Sequence, residues 1–385
     1  MWKRLDEVVQ FIRGFSFDDK KYTSSGYPIV KVLNIQNGKI DTDQLVYFHL
    51  TDYKQNLDKF ILEPQEVCIT ISGASSGKIA INNHNQNFYI SSTVCKLKIR
   101  NQITSNYLFH ALNQIQPQIK NLVRGGAVKG ISLEQLKKVE IPVPPIETQN
   151  KISKLLDSLI QLKENLEQEL TLRKHQFKHY LDKLISVNKN IKTIQEISTD
   201  IYRGNGVRKE HIGSGKFPYI VYGELYTKYR TFIYKPDSTI NPDLIKKKRY
   251  CQYGDLLITS TGEKPEEIAK TCTYLSKEKC IAGWGLFVLK HNQNPKYLAY
   301  ALSTAYAEQQ KQTMATKSTI VNISTNKFKK IKIPIPSLEI QEKIVQKLEY
   351  LRELCEGEIG IKAEIEVTEK QYKCFRDLLI PQTKN

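Results

Sequence analysis

Three places in the sequence carry residues whose types and spacing could do chemistry. The first is Gly73-Ala74-Ser75-Ser76-Gly77-Lys78-Ile79. A nucleotide-binding phosphate loop needs four residues between its glycines and a Ser or Thr after the lysine to hold magnesium. Here there are three, and Ile79 stands in the metal-binding place. The segment is expected to be a tight turn after a strand, with Lys78 facing outward towards a phosphate. The second place is His175 and His179, at a spacing that can hold zinc on one helix face. The intervening residues are Gln176, Phe177 and Lys178, so the Glu of a zinc-protease helix is missing, and no third ligand is evident. They are expected to be solvated histidines, and no metal or cofactor is expected. The third is a set of basic clusters beside small residues: Arg124-Gly125-Gly126 with Lys129, Arg203-Gly204 with Arg208-Lys209, and Lys246-Lys247-Lys248-Arg249 before Tyr250. Loops of this kind approach a phosphate backbone closely.

Charge across the chain agrees with the third group. Lys and Arg number 58 against 40 Asp and Glu, a formal net charge of +18. Such a surplus points to a polyanionic partner, because each cation set against a phosphate releases condensed counterions. Seven cysteines are an odd number without the paired spacing of a zinc site, which fits reduced, buried thiols in a cytoplasmic protein. Met1-Trp2-Lys3-Arg4-Leu5-Asp6 runs into alternating polar and apolar residues, from which no signal segment is expected, and no apolar run approaches the ~20 residues needed to span a bilayer. Neither the Asp/Asn-Pro-Pro-aromatic motif of a methyltransferase nor a glycine fingerprint for a methyl-donor cofactor occurs. No catalytic residue is assigned.

The elements that must position these residues are organised as a repeat. Ile131-Ser132, Lys137-Lys138, Ile141-Pro142-Val143-Pro144, Glu147, Gln149 and Lys151-Ile152 recur as Ile323-Ser324, Lys329-Lys330, Ile333-Pro334-Ile335-Pro336, Glu339, Gln341 and Lys343-Ile344. Each pair is 192 positions apart (141 to 333, 149 to 341). Arg13-Gly14 and Arg203-Gly204 are 190 apart, as are Tyr107-Leu108 and Tyr297-Leu298. A long internal repeat outranks any single motif.

Each repeat begins with short β-branched and aromatic runs punctuated by turns, a strand-rich pattern, with helical spacing over Asn106 to Ile119. The prolines at 142, 144 and 145 are expected to interrupt regular structure. From Glu147 to Ile185, 39 residues without Gly or Pro carry apolar residues at steps of three and four. This reads as one helix of about 58 Å at ~1.5 Å per residue, with coiled-coil character. A second such helix is expected from about Leu338 to Leu379, weakened at Gly357 and Gly360. The expected fold is α+β: two repeated mixed α/β domains, each followed by a long helix, the helices pairing as an antiparallel coiled coil. Ile152, Leu155, Leu159, Leu162 and Leu166 are expected to pair with Ile344, Leu348, Leu351 and Cys355.

These residues resemble a known family. The Ile141-Pro142-Val143-Pro144-Pro145-Ile146 turn with Glu147 and Gln149, and its copy Ile333 to Leu338 with Glu339 and Gln341, look like the signature of the specificity subunit of type I restriction-modification enzymes. Ile131-Ser132, Ile323-Ser324 and Ile71-Ser72-Gly73 with Gly77-Lys78 resemble further elements of that family. The chain departs from the pattern at Thr148, Ile340, Ser337 and the turn Thr261-Gly262-Glu263-Lys264. The resemblance implies target-recognition domains at 1–143 and 188–335, with helices at 144–187 and 336–385. It further implies a non-catalytic subunit that reads a two-part double-stranded DNA target, the helices fixing the separation of the two parts, and that docks modification (methyltransferase) subunits, two in number, and restriction subunits. Arg13, Lys20, Lys78, Arg124 and Lys129 in the first domain, and Arg203, Arg208, Lys209, Lys248, Arg249 and Lys264 in the second, are the expected DNA contacts. A stand-alone DNA-binding or scaffolding protein on the same fold is the alternative.

Overall fold

The computed structural model describes residues 1–73, 75–125, 130–262, 268–316 and 321–381. Of the expected contacts, Lys129 and Lys264 lie outside the described residues. The chain divides into two units, Met1–Glu167 with Glu364–Asn385, and Gln168–Ala363.

Each unit is built on the same mixed sheet, four antiparallel strands continued through one parallel pairing, and its centre is the strand whose residues are all apolar or β-branched. In the first unit the order is Val9–Arg13, Val94–Ile99, Val67–Thr70 and Ile79–Ile81, continued by Lys39–Ile40 and Ile35–Gln36. In the second it is Ser198–Arg203, Leu286–His291, Leu256–Thr259 and Thr271–Tyr274, continued by Phe232–Ile233. Val67–Thr70 and Leu256–Thr259 are buried at every residue, as a central strand covered on both faces must be. A second sheet in each unit contains one parallel pair, Tyr27–Val30 beside Phe88–Ile90 and Phe217–Ile220 beside Ile281–Ala282. The units diverge between these landmarks: residues 31–66 form short strands and turns, whereas the second unit has the helix Tyr222–Thr227.

The repeated turn acts as a latch. Contrary to the expectation that the prolines interrupt all regular structure, Pro142 and Pro334 each end a short strand, Glu140–Pro142 against Trp2–Arg4 and Lys332–Pro334 against Ile191–Thr193. A two-stranded ribbon tolerates a terminal proline because no further ladder hydrogen bond is required of it. The carbonyls of these prolines accept hydrogen bonds from buried phenols, Tyr107 Oη to Pro142 O at 3.0 Å and Tyr297 Oη to Pro334 O at 2.9 Å. The two tyrosines lie near the start of equivalent helices, Ser105–Gln114 and Pro295–Ala301, whose caps Thr104 and Asn294 each accept from the tyrosine's own N–H. Tyr107→Phe and Tyr297→Phe each remove one buried bond and strand a carbonyl. Each is expected to cost about 1 to 2 kcal/mol, read as a lower urea midpoint with an unchanged slope.

The long helix runs from Ile146 to Ser186, 41 residues. The C-terminal helix is two, Leu338–Glu356 and Ile361–Leu379, broken at the glycines that weaken it in the sequence. Within the first unit the long helix runs antiparallel to Ile361–Leu379. His110, itself fully buried, bonds Asp157 at 2.8 Å and Tyr372 at 3.1 Å, and Lys163 pairs with Glu369 at 3.2 Å. Within the second unit Leu181 and Ile185 share a core with Ile344, Val345 and Leu348, again antiparallel. There Glu349 takes the place of Asp157 and is bonded by Tyr300 and Lys296.

The face of the long helix differs from the expected seam. Leu155 and Leu162 are exposed, while Leu156 is completely buried beside Ile152. Leu155 and Leu156 point about 100° apart on a helix of 3.6 residues per turn, so only one can face inward. The stripe that packs runs Ile152, Leu156, Ile160, in steps of four. Leu159, Leu166 and Leu351 are half-buried, and Ile344, Leu348 and Cys355 are buried.

Candidate nucleic-acid interface

Arg13 and Arg203 end equivalent strands. Arg13 stands opposite Cys95 and its Nε donates to the Ser92 carbonyl at 3.1 Å. Arg203 stands opposite Phe287, with its guanidinium 5.8 Å from that ring. Both are exposed. The glycine after each is required by space. A Cβ at Gly14 would lie 2.3 Å from the carbonyl oxygens of Ile90 and Ser91, and at Gly204 2.1 Å from that of Gly283. The chain therefore crosses the end of the neighbouring strand at backbone contact before entering an exposed loop.

In the second unit that loop meets another basic segment. Asn205 N–H bonds Ala282 O at 2.8 Å, and its Nδ2 donates to Lys247 O at 3.2 Å. Arg249 lies over the Tyr202 ring at 5.0 Å. Arg203, Lys248 and Arg249 are thereby gathered with Arg208 and Lys209, which sit further along the Asn205 loop. All five are exposed. Arg208 pairs with Glu210 at 3.6 Å and Lys248 with Asp243 at 3.0 Å. Exposed pairs such as these contribute little and exchange readily for a phosphate.

In the first unit the expected contacts fall into two groups. Arg13 and Lys20 share the segment that follows the edge strand, Lys20 lying in the short turn capped by Asp18. Lys78 lies in the turn between Val67–Thr70 and Ile79–Ile81, which packs on Ile119, Lys120 and Ile131 and so beside the ribbon carrying Arg124. That turn is closed on itself. Gly77 N–H bonds Thr70 O at 2.8 Å, Lys78 N–H bonds Thr70 Oγ1 at 2.9 Å, and Ser76 N–H bonds Gly73 O at 3.1 Å. The amides of Ser76, Gly77 and Lys78 are thus occupied within the turn rather than turned outward to a phosphate.

The second-unit counterpart of Lys78 is Lys270, which the sequence reading missed. Lys270 N–H bonds Thr259 Oγ1 at 3.0 Å and its carbonyl accepts from Thr259 N–H at 3.0 Å, reproducing the bonds between Lys78 and Thr70. The signal was present, since Lys78 and Lys270 are 192 apart (78 to 270), but a longer turn hid it. Lys270 Nζ stands 5.8 Å from the Tyr226 ring.

Six cysteines are buried and Cys374 is exposed. Burial pushes the thiols of Cys95 and Cys272 up to about 12 and raises those of Cys68 and Cys251, so they stay protonated and unreactive. Among the described residues no three His, Cys, Asp or Glu side chains gather as a metal site, and no helix is long and apolar enough to cross a membrane.

The model of the type I restriction modification DNA specificity domain matches the chain twice, over residues 1–172 and 187–367. The chain belongs to that family. A putative type I restriction enzyme specificity subunit of Haemophilus influenzae is 24% identical, aligned over 98% of this chain and 94% of that protein. A putative type I specificity subunit of Mycoplasma pneumoniae is also 24% identical, over 98% and 96%. The crystal structure of the type I restriction-modification S subunit from M. genitalium superposes with a TM-score of 0.58 at 17% identity, covering 100% of this chain and 96% of that one. A chain from a structural study of type I restriction-modification complex assembly gives 0.64 at 17%, covering 98% and 97%. This specificity subunit explains its own departures from the family signature. Thr148 and Ile340 are exposed, whereas the retained Gln149 and Gln341 are fully buried.

Proposed function

We propose that the chain is the non-catalytic subunit that gives a type I restriction-modification enzyme its DNA sequence specificity, each target-recognition domain (1–143 and 188–335) reading one half of a bipartite duplex target. The observation that carries this is the placing of Arg13 and Arg203 at equivalent strand ends, each followed by a glycine at backbone contact and an exposed loop. Chain, charge and loop are repeated while the residues between them differ, as two heads reading different half-sites require. Arg13, Lys20, Lys78, Arg124 and Lys129, with Arg203, Arg208, Lys209, Lys248, Arg249 and Lys264, supply the contacts, joined by Lys270.

The helices dock two modification subunits, which carry the methyl transfer, and restriction subunits complete the assembly in the cytoplasm. The long helix acts as the spacer between the half-sites. Exposed apolar side chains on the helices, Leu155, Leu162, Leu172, Tyr350, Phe375 and Leu378, are available to that docking. DNA affinity of the complex with modification subunits is expected to fall steeply and linearly in log-log form as salt rises. Arg208→Ala should make the slope shallower by about 1. A flat salt response in the unaltered complex overturns the reading.

A further inference from the structure

We infer that Trp284 is a base-contacting, specificity-determining residue of the second unit, its indole seated against the bases of one half-site. The inference rests on the DNA-reading function proposed above and deepens it. Trp284 is 66% exposed, unusual for the largest apolar side chain. Single exposed apolar residues are ordinary on protein surfaces, so exposure alone decides nothing. The way the ring is presented does.

Trp284 sits at the tip of the turn joining Ile281–Ala282 to Leu286–His291, between two glycines that the fold requires. A Cβ at Gly283 would lie 2.7 Å from Tyr219 Oη and 2.8 Å from Ile220 O. Gly285 has a positive φ of 83°, and a Cβ there would meet the Tyr222 ring at 3.1 Å. The buried Tyr219 hydroxyl, which lies against Gly283, donates to Asn205 O at 3.0 Å. Asn205 in turn holds Lys247 O. The indole rests against Gly206, whose Cβ position is 3.3 Å from Trp284 Cβ. One phenol thus packs on the glycine before the aromatic tip and holds the Asn205 loop, and one amide ties that loop to the Lys247 segment.

The surroundings select the occupant. The loops bound to the tip carry Arg203, Arg208, Lys209 and Lys246 to Arg249, so the ring, with the exposed Tyr222 beside Gly285, is bordered by cationic loops. A protein partner is ordinarily met by a broader apolar surface than two rings. Duplex DNA presents what this surface matches: phosphates for the rim, and base edges and faces for an aromatic wedge. The first unit lacks the feature. The register of the parallel pairs, Ile90 with Val30 and Ala282 with Ile220, puts Ser92 in the place of Trp284. The two heads therefore differ at a tip that approaches DNA in each, which is where different half-sites must be told apart.

The chain has two tryptophans, Trp2 and Trp284. A Trp2→Phe chain labelled with fluorotryptophan and assembled with its modification subunits therefore carries one fluorine probe, at Trp284. On saturation with a pool of randomised duplexes its fluorine resonance is expected to shift. Sequencing the bound fraction should show two enriched blocks for the unaltered complex. Trp284→Ala should lose the preference in one block, keep the other, and weaken binding to the selected duplex about tenfold. Its salt slope should be unchanged, because no charge has been removed. Trp284→Phe should keep both blocks. An unmoved resonance at saturation, or the same two blocks recovered at the same affinity by Trp284→Ala, overturns the inference and leaves the DNA-reading function standing. Failure of the unaltered complex to enrich any sequence overturns both. If Trp284→Ala loses both blocks through misfolding, the resonance decides.

Discussion

Gln149→Leu is expected to destabilise the first unit by roughly 3 to 5 kcal/mol, the lower part of the range for three polar groups at about 1 to 3 kcal/mol each, because the bonds it loses are part-buried. Gln149 is fully buried and uses its amide completely. Its Oε1 accepts from Thr104 N–H at 2.9 Å, and its Nε2 donates to Gln102 O at 2.9 Å and Pro144 O at 2.8 Å. One side chain thus joins the start of the long helix, the turn before it and the residue capping Ser105–Gln114. Leucine fills similar space but satisfies none of the three. Gln341 repeats the arrangement, accepting from Asn294 N–H at 3.0 Å and donating to Gln293 Oε1 at 2.8 Å and Pro336 O at 2.9 Å. Gln341→Leu should cost somewhat less, because one partner is a side chain that can turn towards water. Urea unfolding followed by hydrogen exchange localises each effect. Faster exchange at 102–108 is expected for the first variant and at 293–299 for the second. A change below about 1 kcal/mol in both would remove the latch as an explanation of the repeated glutamine.

Gly14→Ala and Gly204→Ala should each cost roughly 3 kcal/mol or more, at the upper end of overpacking. The methyl would sit 2.1 to 2.3 Å from carbonyl oxygens of the neighbouring strand, and a backbone in a paired sheet cannot yield as a flexible side chain can. Gly223→Ala is the control. It lies in a short helix with nothing within 4 Å of its Cβ position, so alanine should be neutral or stabilise by up to about 1 kcal/mol. Melting temperatures of the three variants test the contrast. Because Arg13 and Arg203 precede the two glycines, partial folding of either variant should also weaken DNA binding by the assembled complex.

The helix and its break were legible in the chain. No Gly or Pro interrupts residues 147–185, and a helix of 41 residues forms there, while Gly357 and Gly360 mark where the C-terminal helix divides. Which face of the long helix packs was not legible. Leu155 and Leu156 are equally apolar, and the choice between them depends on Ile380 and Tyr372, more than two hundred positions away. The turn at Gly73 to Lys78 was recognisable as a turn, but its second copy was not, because the chain between Thr259 and Lys270 is longer.

By itself the sequence determined the duplication, the strand-rich units, the helices between and after them, the family, and the cationic loops. These are properties of spacing and composition, and spacing survives without knowledge of neighbours. Only the tertiary structure decided why the signature glutamine and the paired tyrosine are repeated, which lysine answers Lys78, and that a tryptophan stands between two required glycines above a cationic loop. Each of those depends on backbone groups brought to hydrogen-bond or van der Waals distance from far along the chain, and no local pattern of residue types encodes that approach.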